Sequence, residues 1–294
     1  MPETFQIDSR HVRRQFERAA GHYEKADVLA RESATQMAER LAGINLEVRH
    51  VLDLGCGIGR DLDTLASSYP AARITAIDVA HAMVRRIKPA NGLLTRLLRK
   101  RPAVDRIVAS ADRLPLMASS VDMVWSNLML NWLDDPAPTL REVHRVMRVG
   151  GMVMFSTLGP DTLKELRMAL GDAGTDHVHP FIDMHDIGDA LVKAGFADPV
   201  MDMDTLTLTY GEFDGLIQDL RLSGSINAAR HRPQGLGRRV MWQKARDRYE
   251  RLRVAGRLPA TFEVVYGHAW KPEPRALEDG REIIRFQPYP GRKT

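Results

Sequence analysis

At 294 residues, 44% hydrophobic and 27% charged, the chain is long enough to bury a full core, and its composition is that of an ordinary globular protein of one large domain or two small ones. No run of about eighteen apolar residues occurs, so no bilayer-spanning helix is expected. The formal net charge is a modest +4, and the single cysteine, Cys56, excludes an internal disulfide and a cysteine-built metal site.

The first stretch, MPETFQIDSRHVRRQFERAAGHYEKA, has arginines and acids but no apolar core. That argues against a signal or transit peptide and points to the cytoplasm. Val12, Phe16, Ala19, Ala20 and Tyr23 recur at helical spacing, and Ala34, Met37, Ala38 and Leu41 continue the pattern in a second helix that stops near Gly43. Then the period changes. RHVLDLGC reads as a buried strand, DLDTLASSYP as a helix ended by Pro70, RITAIDVA as a second strand, and HAMVRRIKP starts another helix. Strand, glycine turn, helix, strand is a βαβ unit, which implies a parallel sheet with helices on both faces.

DRIVASADRLPL supplies a third strand and a loop, SVDMVWSNL a fourth strand, PAPTLREVHRVMR a helix, and GGMVMFSTL a fifth strand after a double-glycine turn. DTLKELRMAL and HDIGDALVKAGF read as helices; PVMDMDTLTLTY and TFEVVYGHAW alternate as strands. About fifty helical, arginine-rich residues separate those two strands, too many for a hairpin loop, and are expected to be helices inserted over the sheet. Two basic runs stand out: RLLRKRPAVDR from Arg96 to Arg106, and AARHRPQGLGRR from Ala228, with Arg230, Arg232, Arg238 and Arg239. Such runs are solvated faces or attract a polyanion. No zinc-finger spacing, aromatic-interleaved basic strand or helix-turn-helix pattern accompanies them, so an acidic protein partner is expected rather than a nucleic acid.

The chemistry is concentrated at the strand ends. VLDLGCGIGR puts glycines at 55, 57 and 59, the first, third and fifth places of the turn, with Arg60 at the sixth. A dinucleotide fingerprint needs its third glycine at the sixth, so the spacing argues against a bound pyrophosphate. Cys56, inside the turn, reads as a small weakly polar filler or a nucleophile, the filler being favoured. Asp78 ends the second strand, where a carboxylate can accept from both ribose hydroxyls or simply cap a helix. Asp112, in SADRLPL, could accept from an exocyclic amine, Asn127 ends the fourth strand, and Asp53 could meet an ammonium.

This conjunction resembles the seven-stranded S-adenosylmethionine-dependent methyltransferases over residues 48 to 270. The resemblance implies a doubly wound, mostly parallel α/β sheet of the Rossmann-like kind, with N-terminal helices (1–45) and a methyltransferase domain (46–294) carrying a helical cap at about 211–258. It implies S-adenosyl-L-methionine as cofactor, with Asp53, Gly55 and Gly57 at its methionine end, Asp78 at the ribose, Asp112 at the adenine and Asn127 at the methyl-donating side, and with Cys56, Val79, Met83 and Ala111 as further cofactor-binding residues.

FERAAGHYEKAD, SNLMLNWLDDP, FSTLGPDTLKELR, HPFIDMHDIGDALVKAGFADPVMD, LRLSGSIN and LPATFEVVYGHAWKP are more closely similar to the malonyl-acyl-carrier-protein O-methyltransferases of biotin synthesis. That family implies methylation of a malonyl carboxylate, the ester that primes pimeloyl synthesis, with malonyl-acyl-carrier protein as partner. An ionised carboxylate needs no base, only a cation to hold it and walls that exclude water. Arg221 is the candidate cation, or else a solvated helix arginine; Tyr23 either closes over the cofactor or packs as core. Met129 and Trp132 are expected to pack; His144 and His177 lack a metal-binding pattern, and His179 reads equally as structural or substrate-facing. Three other functions remain open: GPDTLKELR and LPATFEVVYGHAWK also resemble a complex I assembly factor that hydroxylates a protein arginine, the fold could serve as a non-catalytic cofactor-binding scaffold, and it could methylate some other small molecule, because fold alone does not fix the acceptor.

Overall fold

The computed structural model describes residues 6–88, 104–171, 177–232 and 239–274. Seven strands form one sheet in the order β3-β2-β1-β4-β5-β7-β6. They are β1 (His50–Leu54), β2 (Arg73–Asp78), β3 (Val104–Val108), β4 (Val121–Ser126), β5 (Met147–Leu158), β6 (Ala197–Tyr210) and β7 (Leu258–Trp270). β1 to β5 are parallel, and β7 runs antiparallel between β5 and β6. The expected doubly wound sheet is therefore present, and its strand order reverses beside β1, where such sheets bind ligands.

The period of two in the central strands sorts the core onto two faces. Val51, Ile74, Ala76, Met123, Trp125, Met152 and Met154 pack with α2 (Val28–Leu41), α3 (Leu62–Ser68) and α6 (Lys164–Leu170). Their alternates Leu52, Leu54, Ile77, Val124, Val153 and Phe155 pack with α5 (Ala137–Val146) and α7 (Met184–Lys193). Strands covered on both faces must read as continuous apolar runs, which is why VLDL and VDMVW lack polar alternation. One buried acid sets the register at the strand starts: Asp122 Oδ2 accepts from the backbone N–H of Arg49 at 2.9 Å and of His50 at 2.8 Å.

Two helices precede the sheet, α1 (Ser9–Ala19) and α2, joined through a short 3-10 turn at Tyr23–Lys25. Among the described residues, α8 (Phe213–Leu222) and α9 (Arg239–Glu250) lie between β6 and β7. α9 packs on α6, and α8 meets the Tyr23–Lys25 turn, so cap and N-terminal segment touch across the top of the sheet. No helix among the described residues is long and apolar enough to cross a membrane.

HAMVRRIKP starts a helix as expected, α4 (His81–Val84), and one local expectation is corrected. β5 begins at Met147, before the glycine pair, and runs through it. The pair is needed inside the strand because a Cβ on Gly151 would lie 2.7 Å from the Asp122 carbonyl oxygen, while Gly150 bonds Lys271 O at 2.8 Å with φ +78°. Of the first basic run, Arg96, Arg99, Lys100 and Arg101 lie outside the described residues, as does Arg238 of the second.

Candidate active site

β1 ends at Leu54 and the chain turns through Gly55 (φ +79°) and Gly57 (φ +51°), conformations that cost a side-chain-bearing residue energy. A Cβ on Gly55 would stand 2.5 Å from Met129 Cγ; on Gly57 it would meet nothing within 4 Å. Gly57 therefore presents bare backbone to open space. The turn is tied to β2, with Gly55 N and Cys56 N donating to Ile77 O at 2.8 and 3.0 Å. Asp78 accepts from Gly57 N at 2.9 Å on one carboxylate oxygen and from Ala80 N at 2.8 Å on the other. The carboxylate, which the Val79 N–H also approaches, keeps acceptor capacity to spare, and Asp78 lines the cavity below.

Beneath the turn lies a cluster of acids short of counter-charge. Asp53 is 2% exposed, and its Oδ2 has no hydrogen-bond partner. Burial, then the charges of Asp61 and Asp78, push its carboxyl well above the usual range. Asp61 accepts from Trp125 Nε1 at 2.7 Å and Asn127 Nδ2 at 3.2 Å, and burial raises it as well. Burial also raises Asp78, against the pull of the backbone N–H groups of Ala80, Gly57 and Val79. Such a group of carboxylates is suited to a cationic ligand.

A cavity of about 540 Å³, in the range of small-molecule sites, runs along the carboxyl ends of the strands. Gly55, Gly57, Asp78, Val79, Met83, Ala111 and Asn127 line one end, and Leu208, Tyr210, Phe262 and Trp242 the other. Those walls extend from β3 to β6, six strand spacings or about 29 Å. Tyr23, Met129, Trp132, His177, His179 and Arg221 also line it. Sequence reading is thus brought together at Gly55, Gly57, Asp78, Val79, Met83, Ala111, Asn127, Tyr23 and Arg221. Three residues stand apart from the wall: Asp53 is beneath it, Asp112 is exposed one residue beyond Ala111, and Cys56 belongs to the core. Burial holds the Cys56 thiol well above its usual range, which favours packing over a nucleophilic role.

Polar ties hold the N-terminal segment over this cavity. Asn127 Nδ2 donates to Ala30 O at 2.9 Å, while its Oδ1 accepts from Ser156 Oγ at 2.8 Å. Ser156 Oγ in turn accepts from Ser33 Oγ at 2.9 Å and from Leu128 N at 3.0 Å. Arg60 pairs with Asp27 at 2.6 Å, and Glu17 accepts from His81 N at 2.8 Å and Ala82 N at 2.9 Å. Tyr23, surrounded by Asp61, Asp27 and Asp78, is held protonated by burial and those charges. His179 Nε2 accepts from Ala228 N at 2.9 Å, which requires the tautomer protonated on Nδ1, and its ring meets Trp132 edge-on at 5.6 Å. The histidine is a structural anchor that also forms wall. Burial pushes it down to about 4.

A methyltransferase-domain family matches residues 52–155, the span from β1 to β5. The malonyl-[acyl-carrier protein] O-methyltransferase of Laribacter hongkongensis is 49% identical, over 98% of this chain and 99% of that protein. Its namesake in Gallionella capsiferriformans is 47% identical, over 96% and 97%. This chain belongs to the malonyl-[acyl-carrier protein] O-methyltransferase family. It is a methyltransferase, and the shape agrees: a SAM-dependent methyltransferase of Thermotoga maritima superposes with a TM-score of 0.51 at 16% identity, covering 88% of this chain and 99% of that one.

Within this methyltransferase, sequence reasoning missed Glu17, Asp61, Ser156 and Arg232. Asp61 looks like an ordinary helix cap, yet it makes no cap bond and turns its carboxylate to Trp125. Arg232, expected on an open basic face, is directed inward, with Nη1 3.4 Å from Asp8 Oδ2 and 3.0 Å from Ala229 O, and lines the cavity. Arg221 is exposed at the end of α8 and makes no ion pair among the described residues. No group of three or more His, Cys, Asp or Glu among the described residues could hold a metal ion.

Proposed function

We propose that this protein methylates the free carboxylate of malonyl-acyl-carrier protein, using S-adenosyl-L-methionine and releasing S-adenosyl-L-homocysteine. The observation that carries the cofactor is the pairing of Asp78, backbone-anchored with acceptor capacity left over, with Asp53, a buried carboxylate oxygen that has no partner. A ribose with two hydroxyls and an ammonium-bearing tail fits that pair. Gly55 and Gly57 would let the tail lie on backbone, Val79 and Met83 would flank the ribose, and Ala111 would close over the adenine, with Asp112 at the solvent side of the same turn.

Bound there, S-adenosylmethionine supplies a methyl group activated by a sulfonium. The chain's own residues have a limited task, because the acceptor carboxylate is ionised at neutral pH and no proton must be moved. Arg221 holds that carboxylate in this reading, with Arg232 second to it because Asp8 already engages its guanidinium. Tyr23, Trp132 and the α8 side of the cavity exclude water, so that positioning supplies much of the rate. The curated relatives are named O-methyltransferases, which favours this chemistry over arginine hydroxylation or a silent scaffold.

Intact-mass analysis of malonyl-acyl-carrier protein, incubated with this protein and S-adenosylmethionine, tests the reading. It requires a gain of one methyl on the malonyl form and none on an acetyl-carrier control, which has no free carboxylate. A gain of one oxygen on a protein substrate, or cofactor binding without any turnover, would refute it.

A further inference from the structure

Helix α1 holds a pattern that the methyl-transfer chemistry does not use. Its inner stripe, Val12, Gln15 and Ala19, is buried. Its outer stripe is Arg10, Arg13, Arg14 and Arg18, all exposed, and Glu17 is the single acid among the eleven residues. Arg10, Arg14 and Arg18 recur every four residues, so they stand in a row about 12 Å long. None of those three makes an ion pair or side-chain hydrogen bond among the described residues, although the charge of Arg14 is felt by Asp8; Arg13 approaches Glu17 at 3.8 Å. Like charges at that spacing weaken an isolated helix by a few tenths of a kcal/mol per pair, so folding alone gives no reason for the row.

The row adjoins the mouth of the cavity. Ser9, His11, Val12 and Phe16 of the same helix line it, as does Arg232. The chain before α1 is zipped to the segment that carries Arg230: Asp8 N donates to Ala228 O at 2.8 Å and Arg230 N to Gln6 O at 2.7 Å. Arg230, exposed, thereby joins the α1 arginines on one continuous surface beside the cavity.

We propose that this arginine stripe, with Arg230, is the surface on which an acidic acyl-carrier protein docks to present its acyl group to the cavity. The inference rests on the malonyl-carrier reading above and adds the place of contact. Carrier proteins are acidic and deliver their acyl group on a slender arm; a row of cations beside the opening both steers the encounter and fixes the end from which the arm enters. The basic run at 230–239 contributes Arg230 to this surface, whereas Arg232 is engaged by Asp8.

The test compares the full-length protein with R10E/R14E/R18E on two substrates, malonyl-acyl-carrier protein and malonyl-N-acetylcysteamine, a thioester with neither protein nor phosphate. Charge reversal is expected to raise KM for the carrier-bound substrate at low salt by at least about tenfold and to abolish its salt dependence, with kcat and the small-thioester KM unchanged. The neutral variant R10Q/R14Q/R18Q should give a smaller rise in the same direction, and R230E should add to either. An unchanged carrier KM with normal turnover of the small thioester overturns the docking surface alone. Equal losses on both substrates by both triple variants make the stripe structural and overturn it too. Loss of binding to anionic vesicles with carrier KM intact would reassign the stripe to a lipid surface. Failure of the unaltered protein on both malonyl substrates overturns the functional reading on which the proposal stands.

Discussion

Asp78 has both carboxylate oxygens committed to backbone N–H donors, at 2.9 and 2.8 Å, and this fixes the direction in which its remaining acceptor sites point. An amide at this position must turn its NH2 toward one of those donors. Asp78→Asn is therefore expected to weaken S-adenosylhomocysteine binding about ten- to hundredfold with a small change in melting temperature, as calorimetry would show. A second residue sets a pH window. His179 must be neutral to accept from Ala228 N, and its pKa in the fold is pushed down to about 4 from an ordinary value of 6.5. The unfolded chain binds the extra proton first, so stability from this group is complete above about pH 6.5 and lost as pH falls toward 4, about 3 kcal/mol in all. Urea titrations from pH 7 to 4.5 should show that slope, and His179→Gln should flatten it. The glycines and Asp78 were legible because a strand, a tight turn and a strand-end acid leave a pattern in one short stretch. Asp61 and Ser156 were not, since their partners, Trp125, Asn127 and Ser33, are between 29 and 123 residues away in sequence.

At the scale of elements, the N-terminal helices and the inserted cap form the upper wall of the cavity. α2 is bound to the strand-end loop through Ser33, Ser156 and Asn127, whereas α8 and α9 meet the cavity mainly through apolar side chains such as Ile217 and Trp242. Amide exchange with and without S-adenosylhomocysteine should reveal the difference. Protection is expected to rise across residues 28–41 and at the 55–60 turn, and to rise less across 211–258, which borders the half of the cavity lined by β6 and β7. Equal protection throughout would mean that the cap orders with the cofactor as a lid. Ser156→Ala removes the donor to Asn127 Oδ1 and the acceptor of Ser33 Oγ, while Leu128 N keeps the Ser156 carbonyl at 3.1 Å, so a loss of about 1–3 kcal/mol is expected in chemical denaturation. The sequence showed the insertion plainly, because fifty-odd residues between two strands exceed any ordinary loop. It did not show how short α4 would be, since HAMVRRIKP has helical spacing throughout but leads into residues outside the described chain.

For the whole molecule, two opposing pH effects meet. Asp53, Asp61 and Asp78 are all raised above their ordinary values, so between about pH 4 and those higher values the folded protein holds protons that the unfolded chain has released. This contribution falls as pH rises, the reverse of the His179 slope. A cationic cofactor relieves the crowding of the charged form, and the rise in melting temperature caused by S-adenosylmethionine should therefore be larger at pH 8 than at pH 5.5. A shift independent of pH would mean that the acids do not sense the ligand. The residue pattern carried topology as far as a parallel sheet with helices on both faces, because apolar runs alternating with helices form βαβ units, and the family resemblance implied the doubly wound order. The reversal of β7 between β5 and β6 follows from tertiary pairing over long stretches of chain, for which the alternating patterns of the two last strands gave no direction. Helix α1 links these scales: its inner side closes the cavity, its outer side carries the arginine row, and Glu17 reaches across to the N–H groups of His81 and Ala82, next to Asp78. In the proposed reading it is a strut between the cofactor side and the carrier surface: whatever free energy carrier docking gains from a firmer helix must appear, in equal amount, in the affinity for the cofactor.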